Sequence, residues 1–255
     1  MDTAALFEPS LILLVACSVA LAAGVVKGMV GFAMPMILVS GLTTFMPPEL
    51  ALAGLILPTV VTNGMQALRQ GAKAAWQSIM KFRVFLLIGL VFLLASAQMV
   101  SLLPAKVMYL VIGGPVALFC LLQIFGWQPV LAPGSRPVLE GVIGAVAGFV
   151  GGMSGVWGPP TVAYLTALGT EKREQIRVQG VIYGLGAVAL TVAHIGSGVL
   201  NAETAKFSAI LIVPAVIGMW LGGLIHDRID QRAFRRATLF ILLIAALNLI
   251  RRAVF

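Results

Sequence analysis

The chain has 255 residues, of which 60% are hydrophobic and only 10% charged. A soluble domain carries about 25% charge, so this composition excludes a soluble surface and specifies an integral membrane protein embedded in a lipid bilayer. The net charge of +8 comes without a basic stripe interleaved with aromatics; it reads as basic cytoplasmic loops, and nucleic acid is excluded as a partner.

In chain order, the first ten residues carry Asp2 and Glu8 and no basic residue, unlike a signal peptide. "LVAC" before Ser18 is therefore not expected to be a lipoprotein cleavage site, and the first membrane segment begins at Leu11. A spanning helix needs about 20 apolar residues. The apolar runs are 10–27, 29–46, 49–68, 84–100, 105–125, 138–151, 159–169, 178–196, 207–225 and 237–250. Cys17 and Cys120 lie inside such runs and flank no CxxC, so they read as small buried hydrophobes rather than metal ligands. The one plausible linker is "GWQPVLAPGSRP", 126–137, almost central and rich in Pro and Gly.

That centre invites a search for a repeat. Gly28, Met29, Gly31 and Pro35 recur 124 positions later as Gly152, Met153, Gly155 and Pro159. "KF" at Lys81–Phe82 recurs at Lys206–Phe207, 125 positions later. The expected organisation is an N-terminal repeat 1–126, a linker 127–136 and a C-terminal repeat 137–255, forming one membrane transport domain.

The charges predict how the halves insert. Loops 69–83, 171–177 and 226–236, with Arg136, hold twelve of the seventeen basic residues and belong in the cytoplasm. Their counterparts in the other half, 194–206, 46–53 and 101–108, hold one, none and one. A loop that is basic in one half and nearly neutral in the other marks inverted topology. The expected fold class is thus an all-α polytopic membrane protein. It has two inverted repeats, each with a broken or re-entrant element plus about three transmembrane helices. Both termini come out on the outer side.

The paired breaks are the candidate site. Broken backbone is tolerated in lipid only where it is buried in protein or lines a cavity. A helix start offers free N–H groups and a positive dipole end to an anion. Pro35 and Pro159 suit the first turn of the following half-helix. Two such starts facing each other would cage a small anion. The competing reading is close helix packing through small residues. The candidate lining is Gly28, Met29, Gly31, Phe32 and Pro35 from the first break. From the second it is Gly152, Met153, Ser154, Gly155, Trp157, Gly158 and Pro159. Ser154 offers a hydroxyl where its counterpart Val30 cannot. Lys27 reads either as counter-charge for the anion or as a lysine at a cytoplasmic hairpin tip. Asn63, Gln66, Gln179 and Tyr183 lie within spans as possible donors, or as interhelical hydrogen bonds. His194 and His226 read as structural.

"GMVGFAMPMILVSG", "PPELALAGLILPTVVTN" and "GMSGVWGPPTVAYL" resemble the TauE/SafE family of membrane exporters, over essentially the whole chain. The resemblance implies export of sulfite or of a small organosulfonate such as sulfoacetate, across a bacterial inner membrane. Many members have consecutive glycines before the motif proline. Here Val30, Phe32 and Ala33 occupy that region of one half and Val156 and Trp157 that of the other, which would narrow the site.

The nine carboxylates all fall near segment ends or in loops, which argues against carboxylate-based coupling and favours efflux driven by the membrane potential. No cofactor or metal is expected. "GMSG" at 152–155 also fits a serine-protease nucleophile with His194 as base, but the sister motif GMVG has no serine, so no enzyme is expected. An uptake carrier for a related anion and a structural membrane subunit stay open. So do the oligomeric state and the anion itself.

Overall fold

A computed structural model describes residues 11–126, 136–225 and 231–254. The central linker, His226 and the acidic N-terminus lie outside the described residues. Among those described, every regular element is helical. They are α1 (Leu11–Val30), α2 (Met34–Leu42), α3 (Pro48–Leu68), α4 (Ala72–Lys81), α5 (Arg83–Ala97) and α6 (Ala105–Ile124). After the linker come α7 (Arg136–Ser154), α8 (Gly158–Ala167), α9 (Lys172–Gly196), α10 (Ala202–Ile225) and α11 (Gln231–Val254). Seven of the described helices are long and apolar enough to cross a bilayer. Large side chains such as Leu14, Val91, Val213 and Ile244 stand exposed on their outer faces, where lipid and not water is the apt solvent.

The expected runs locate most helices; α9 takes in most of loop 171–177 and α11 begins within loop 226–236, and two further differences stand out. Run 29–46 is not one segment: α1 carries on to Val30, and α2 restarts at Met34 after positive φ at Gly31 and Ala33. At nine residues α2 is about 13 Å long, under half of the ~30 Å hydrocarbon core. Loop 69–83 is also not a loop, since most of it folds as α4. Its charges hide an amphipathic pattern in which Ala75 and Ser78 are buried while Trp76 and Met80 stand exposed. That suits a short helix lying in the headgroup region. It is tied to α9 by Lys81 on Glu174 at 2.7 Å and by Arg177 Nε donating to Ser78 Oγ at 3.0 Å.

Packing uses the small residues that a membrane helix pair needs for close approach. Gly218 and Gly222 of α10 lie against Leu21 and Val25 of α1, so these helices run parallel. Gly144, Gly148 and Gly152 of α7 lie against Phe85, Gly89 and Leu93 of α5, again in parallel. Gly180 and Gly184 of α9 meet Ala67 and Asn63 of α3, so these two run antiparallel. α6 packs on α11. Exchanging 11–124 for 136–254 carries the α1–α10 pair onto α7–α5, and leaves α3–α9 and α6–α11 paired.

Proline interrupts three of the long helices, at Pro58, Pro115 and Pro214. Pro58 has no N–H to offer Gly54. Ser208 of α10 fills the gap: its hydroxyl donates to the Gly54 carbonyl at 3.2 Å and accepts from the Leu57 N–H at 3.1 Å.

Candidate functional site

The first break is built by glycine and closed by side chains from α3. Gly31 has φ 82°, and its N–H still reaches the Lys27 carbonyl at 2.8 Å. Its own carbonyl accepts from Gln66 Nε2 at 3.0 Å, and the same nitrogen donates to the Ile176 carbonyl of α9 at 2.9 Å. One amide thus joins the break, α3 and α9. Phe32 turns away to meet Phe119 edge-on at 6.1 Å. Pro35 sits in the first turn of α2, where no N–H is needed. Met29 is buried.

Lys27 is not at a hairpin tip. It lies in the last turn of α1, is 2% exposed, and its ammonium donates to Asn63 Oδ1. Among the described residues no carboxylate forms an ion pair with it. The Asn63 Nδ2 and Gln179 Oε1 atoms are buried with no hydrogen-bond partner. A buried cation that donates to a neutral amide and forms no ion pair among the described residues, with a donor left over beside it, is incomplete by the ordinary rules for buried polar groups.

The second break repeats the backbone with different side chains. Gly155 has φ 70° and its N–H reaches the Gly151 carbonyl at 2.8 Å, as Gly31 does to Lys27. The Ser154 hydroxyl donates to the Val150 carbonyl at 2.7 Å and accepts from the Val156 N–H at 3.2 Å, so it shapes the helix end. Donation to a bound anion would require it to rotate away from Val150. Trp157 is buried against Gly151 and Gly186. Tyr183 donates to the Gly158 carbonyl at 3.4 Å and lies 6.4 Å from Trp157, ring to ring. Pro159 and Met153 are also buried.

α9 joins the two breaks. A Cβ on Gly31 would stand 3.8 Å from Gln179 Oε1, and one on Gly158 would stand 3.7 Å from Tyr183 Oη. Gln179 and Tyr183 are four apart on a helix and so share one face. Lys27, Gly31, Asn63 and Gln179 therefore gather at the first break, and Ser154, Trp157, Gly158 and Tyr183 at the second. Gly28 and Gly152 face elsewhere: a Cβ on either would run into the neighbouring helix, α10 or α5.

The equivalent glycines respond differently to substitution. At Gly31 a methyl meets only ordinary contacts, the nearest at 3.5 Å, whereas at Gly155 it would lie 2.7 Å from Leu55 Cδ1. Both carry left-handed strain of about 1–2 kcal/mol for a residue with Cβ. Gly31→Ala should lower stability by about that much. Gly155→Ala should cost about 1 kcal/mol more, for displacing Leu55. Thermal unfolding of the purified protein in detergent checks the order.

Two further ionisable groups stand out, one of them a carboxylate expected near a segment end. Glu140 is a carboxylate on α7 that is 5% exposed, accepting from the Phe85 N–H at 3.3 Å and the Tyr164 hydroxyl at 3.4 Å. The signal was its position inside run 138–151. Arg252 donates to the Thr43 carbonyl at the end of α2 and to Tyr109 Oη, and lies over the Tyr109 ring at 4.6 Å. His194 Nε2 lies 3.1 Å from the Gly152 carbonyl, which can only accept, so the nitrogen carries the proton; Nδ1 lies 3.0 Å from Ser197 Oγ. Ser154 and His194 are each hydrogen-bonded to other partners. Among the described residues no cluster of metal-ligating side chains occurs.

Compared with known proteins, no curated protein and no solved structure matches the chain. The family model described as "Sulfite exporter TauE/SafE" matches residues 16–249, which takes in most of α1, all of α2 to α10, both breaks and most of α11. With seven helices fit to span a bilayer, the chain is an integral membrane protein and a member of the sulfite exporter TauE/SafE family of membrane transporters.

Proposed function

We propose that the protein exports a small sulfur-containing anion, sulfite or an organosulfonate such as sulfoacetate, held between the two helix breaks and released by alternating access. One observation carries this reading. Lys27 is buried beside unpartnered amide groups, with no carboxylate paired to it among the described residues. An intramembrane lysine costs about 3 kcal/mol to insert, and a bound anion would offset that cost. The anion lies between Lys27, Asn63 and Gln179 on one side and Trp157 and Tyr183 on the other. The start of α2 contributes its dipole.

The two halves serve this as inverted repeats. The antiparallel run of α3 and α9, and the exchange of helix pairs between halves, support a twofold relation across the membrane plane. The basic loops then lie in the cytoplasm and both termini outside, in the inner membrane of a bacterium. Alternating access is a rocking of one half against the other around the site.

Flux from proteoliposomes tests the reading. The purified protein is reconstituted, loaded with labelled sulfite, sulfoacetate or another small sulfonate, and given a potassium–valinomycin potential. An inside-negative potential of 100 mV contributes about 2.3 kcal/mol per charge, so efflux of a monovalent substrate should be favoured about fiftyfold at equilibrium. Flux of the same anions only inward would make the protein an uptake carrier. No flux of any sulfur oxyanion from folded protein would overturn the substrate assignment.

A further inference from the structure

The unpartnered atoms at the first break have opposite polarity. Asn63 Nδ2, fully buried, is a donor without an acceptor, and Gln179 Oε1, on a residue 3% exposed, is an acceptor without a donor. Lys27 spends on Asn63 Oδ1 one of the three hydrogens of its ammonium. Gln66 Nε2 borders Gly31 as Gln179 Oε1 does, but both of its hydrogens go to the carbonyls of Gly31 and Ile176. A plain sulfonate or fully ionised sulfite offers acceptors only. Bound here, it would satisfy Lys27 and Asn63 and leave Gln179 Oε1 buried and unpaired.

Packing does not call for this glutamine. At the repeat offset of 124 positions, Lys27, Asn63 and Gln179 correspond to Gly151, Ala187 and Leu55, and α3 and α9 begin at that same offset. A Cβ on Gly31 would stand 3.8 Å from Gln179 Oε1, and one on its counterpart Gly155 would stand 2.7 Å from Leu55 Cδ1. The same approach of a long helix to a break is thus made with leucine in one place and glutamine in the other. Leucine fills the space and buries no polar group; glutamine fills it and leaves an acceptor unpaired, which is unfavourable unless a ligand supplies the donor. The polar set occurs at the first break and not at the second.

We propose that Gln179 is a specificity-determining residue: its side-chain carbonyl selects a small sulfur oxyanion that brings a hydroxyl of its own. This rests on the reading above that the breaks hold a sulfur-containing anion. The oxygens of such a cargo accept from Lys27 and from Asn63 Nδ2, and its hydroxyl donates to Gln179 Oε1. Two kinds qualify: hydrogen sulfite in its hydroxyl form, and a sulfonate with a hydroxyl on its carbon chain. Ionised sulfoacetate has no such donor and is disfavoured. A site built to pair a hydroxyl rejects the analogue that lacks it, because its own buried group is then left unpaired.

The test compares two sulfonates of equal charge that differ by one hydroxyl, hydroxyethanesulfonate and ethanesulfonate. Counterflow of each, labelled, is measured in proteoliposomes at the same pH. In the wild type the hydroxylated anion should exchange about thirtyfold faster at limiting concentration, the change expected from pairing one buried acceptor. In Gln179→Met, which removes the carbonyl at similar side-chain length, the two should exchange equally. Gln179→Leu installs the side chain that the counterpart position already packs; it should behave alike, and it replaces the first variant if that one does not fold. Labelled sulfite in the same vesicles assigns the source of the hydroxyl: exchange faster than that of hydroxyethanesulfonate marks hydrogen sulfite, and slower exchange marks the hydroxylated sulfonate. Equal exchange of the two sulfonates by the wild type would mean that water serves Gln179, and would overturn the proposal while leaving the transport reading in place. A preference that survives in both variants would overturn it as well. Binding needs no flux and separates the two readings. In detergent, hydroxyethanesulfonate should raise the unfolding temperature of the wild type more than ethanesulfonate at the same concentration, and the difference should vanish in the variant. That difference without flux would sink the transport reading alone; its absence would overturn the proposal.

Discussion

Replacing Lys27 by methionine should abolish most transport while leaving the protein folded. A charged group that hydrogen-bonds a buried partner contributes about 1.5–3 kcal/mol. Loss of the counter-charge should therefore reduce anion flux at limiting substrate by about a hundredfold. Stability should stay level or rise, because methionine matches the lysine stem in volume and removes a buried ammonium from an apolar segment. The one liability is Asn63, whose Oδ1 would lose the Lys27 donor. Lys27→Arg keeps the charge but not the compact point geometry, and should retain part of the flux. Proteoliposome exchange and thermal unfolding, measured on the same preparations, check both halves of the claim. If Lys27→Met exchanges anions at the wild-type rate, the lysine is a structural group and the anion is bound elsewhere.

The second large effect concerns two adjacent glycines. On α10, a Cβ at Gly222 would overlap the Val25 carbonyl and stand 3.1 Å from the Gly28 Cα, whereas a Cβ at Gly223 meets nothing within 4 Å. Both sit in the last turn of α10 with the same propensity, so the cost of valine in the helix itself cancels between them. Gly222→Val must push α1 and α10 apart where Gly222 meets Val25 and Gly28. Backbone cannot yield as a side-chain tip can, so a loss of about 3 kcal/mol or more is expected, at the upper end for overpacking. Gly223→Val should be near neutral. Unfolding temperatures of the two variants in the same detergent decide it. Equal losses would mean that α1 and α10 do not pack through this face.

Much of the architecture was legible because membrane helices are written in long apolar runs. The glycine–proline pairs located both breaks to within a few residues, since only a local pattern is needed to see that a helix stops. Element pairing was not legible: α1 with α10 and α5 with α7 are contacts between halves, set by glycines that look alike in sequence wherever they point. For that reason Gly28 and Gly152, one of the four repeated positions of the motif, turn out to face neighbouring helices. Gln66 could be named as a possible donor, but its bridge to Gly31 and Ile176 depends on three segments meeting. Glu140 sat in an apolar run from the start. Its burial follows from α5 and α8 covering it, which no stretch of α7 reveals. α4 was obscured by its charge: a ten-residue amphipathic helix carries too few apolar residues to register as a span.

The seal over Pro58 ties the stiffness of α3 to its surroundings. A proline normally leaves a helix free to bend, but here the hydroxyl of Ser208 mends the gap from a different helix. α10 turns Val213, Ile217 and Trp220 outward, toward the acyl chains. Sliding α10 by an ångström or two would strip the Gly54 carbonyl and the Leu57 N–H of their shared partner and let α3 flex beside Asn63. Bilayer thickness and lateral pressure would then act on the cargo through one serine, so that the rate of this protein would depend on the composition of the membrane that holds it.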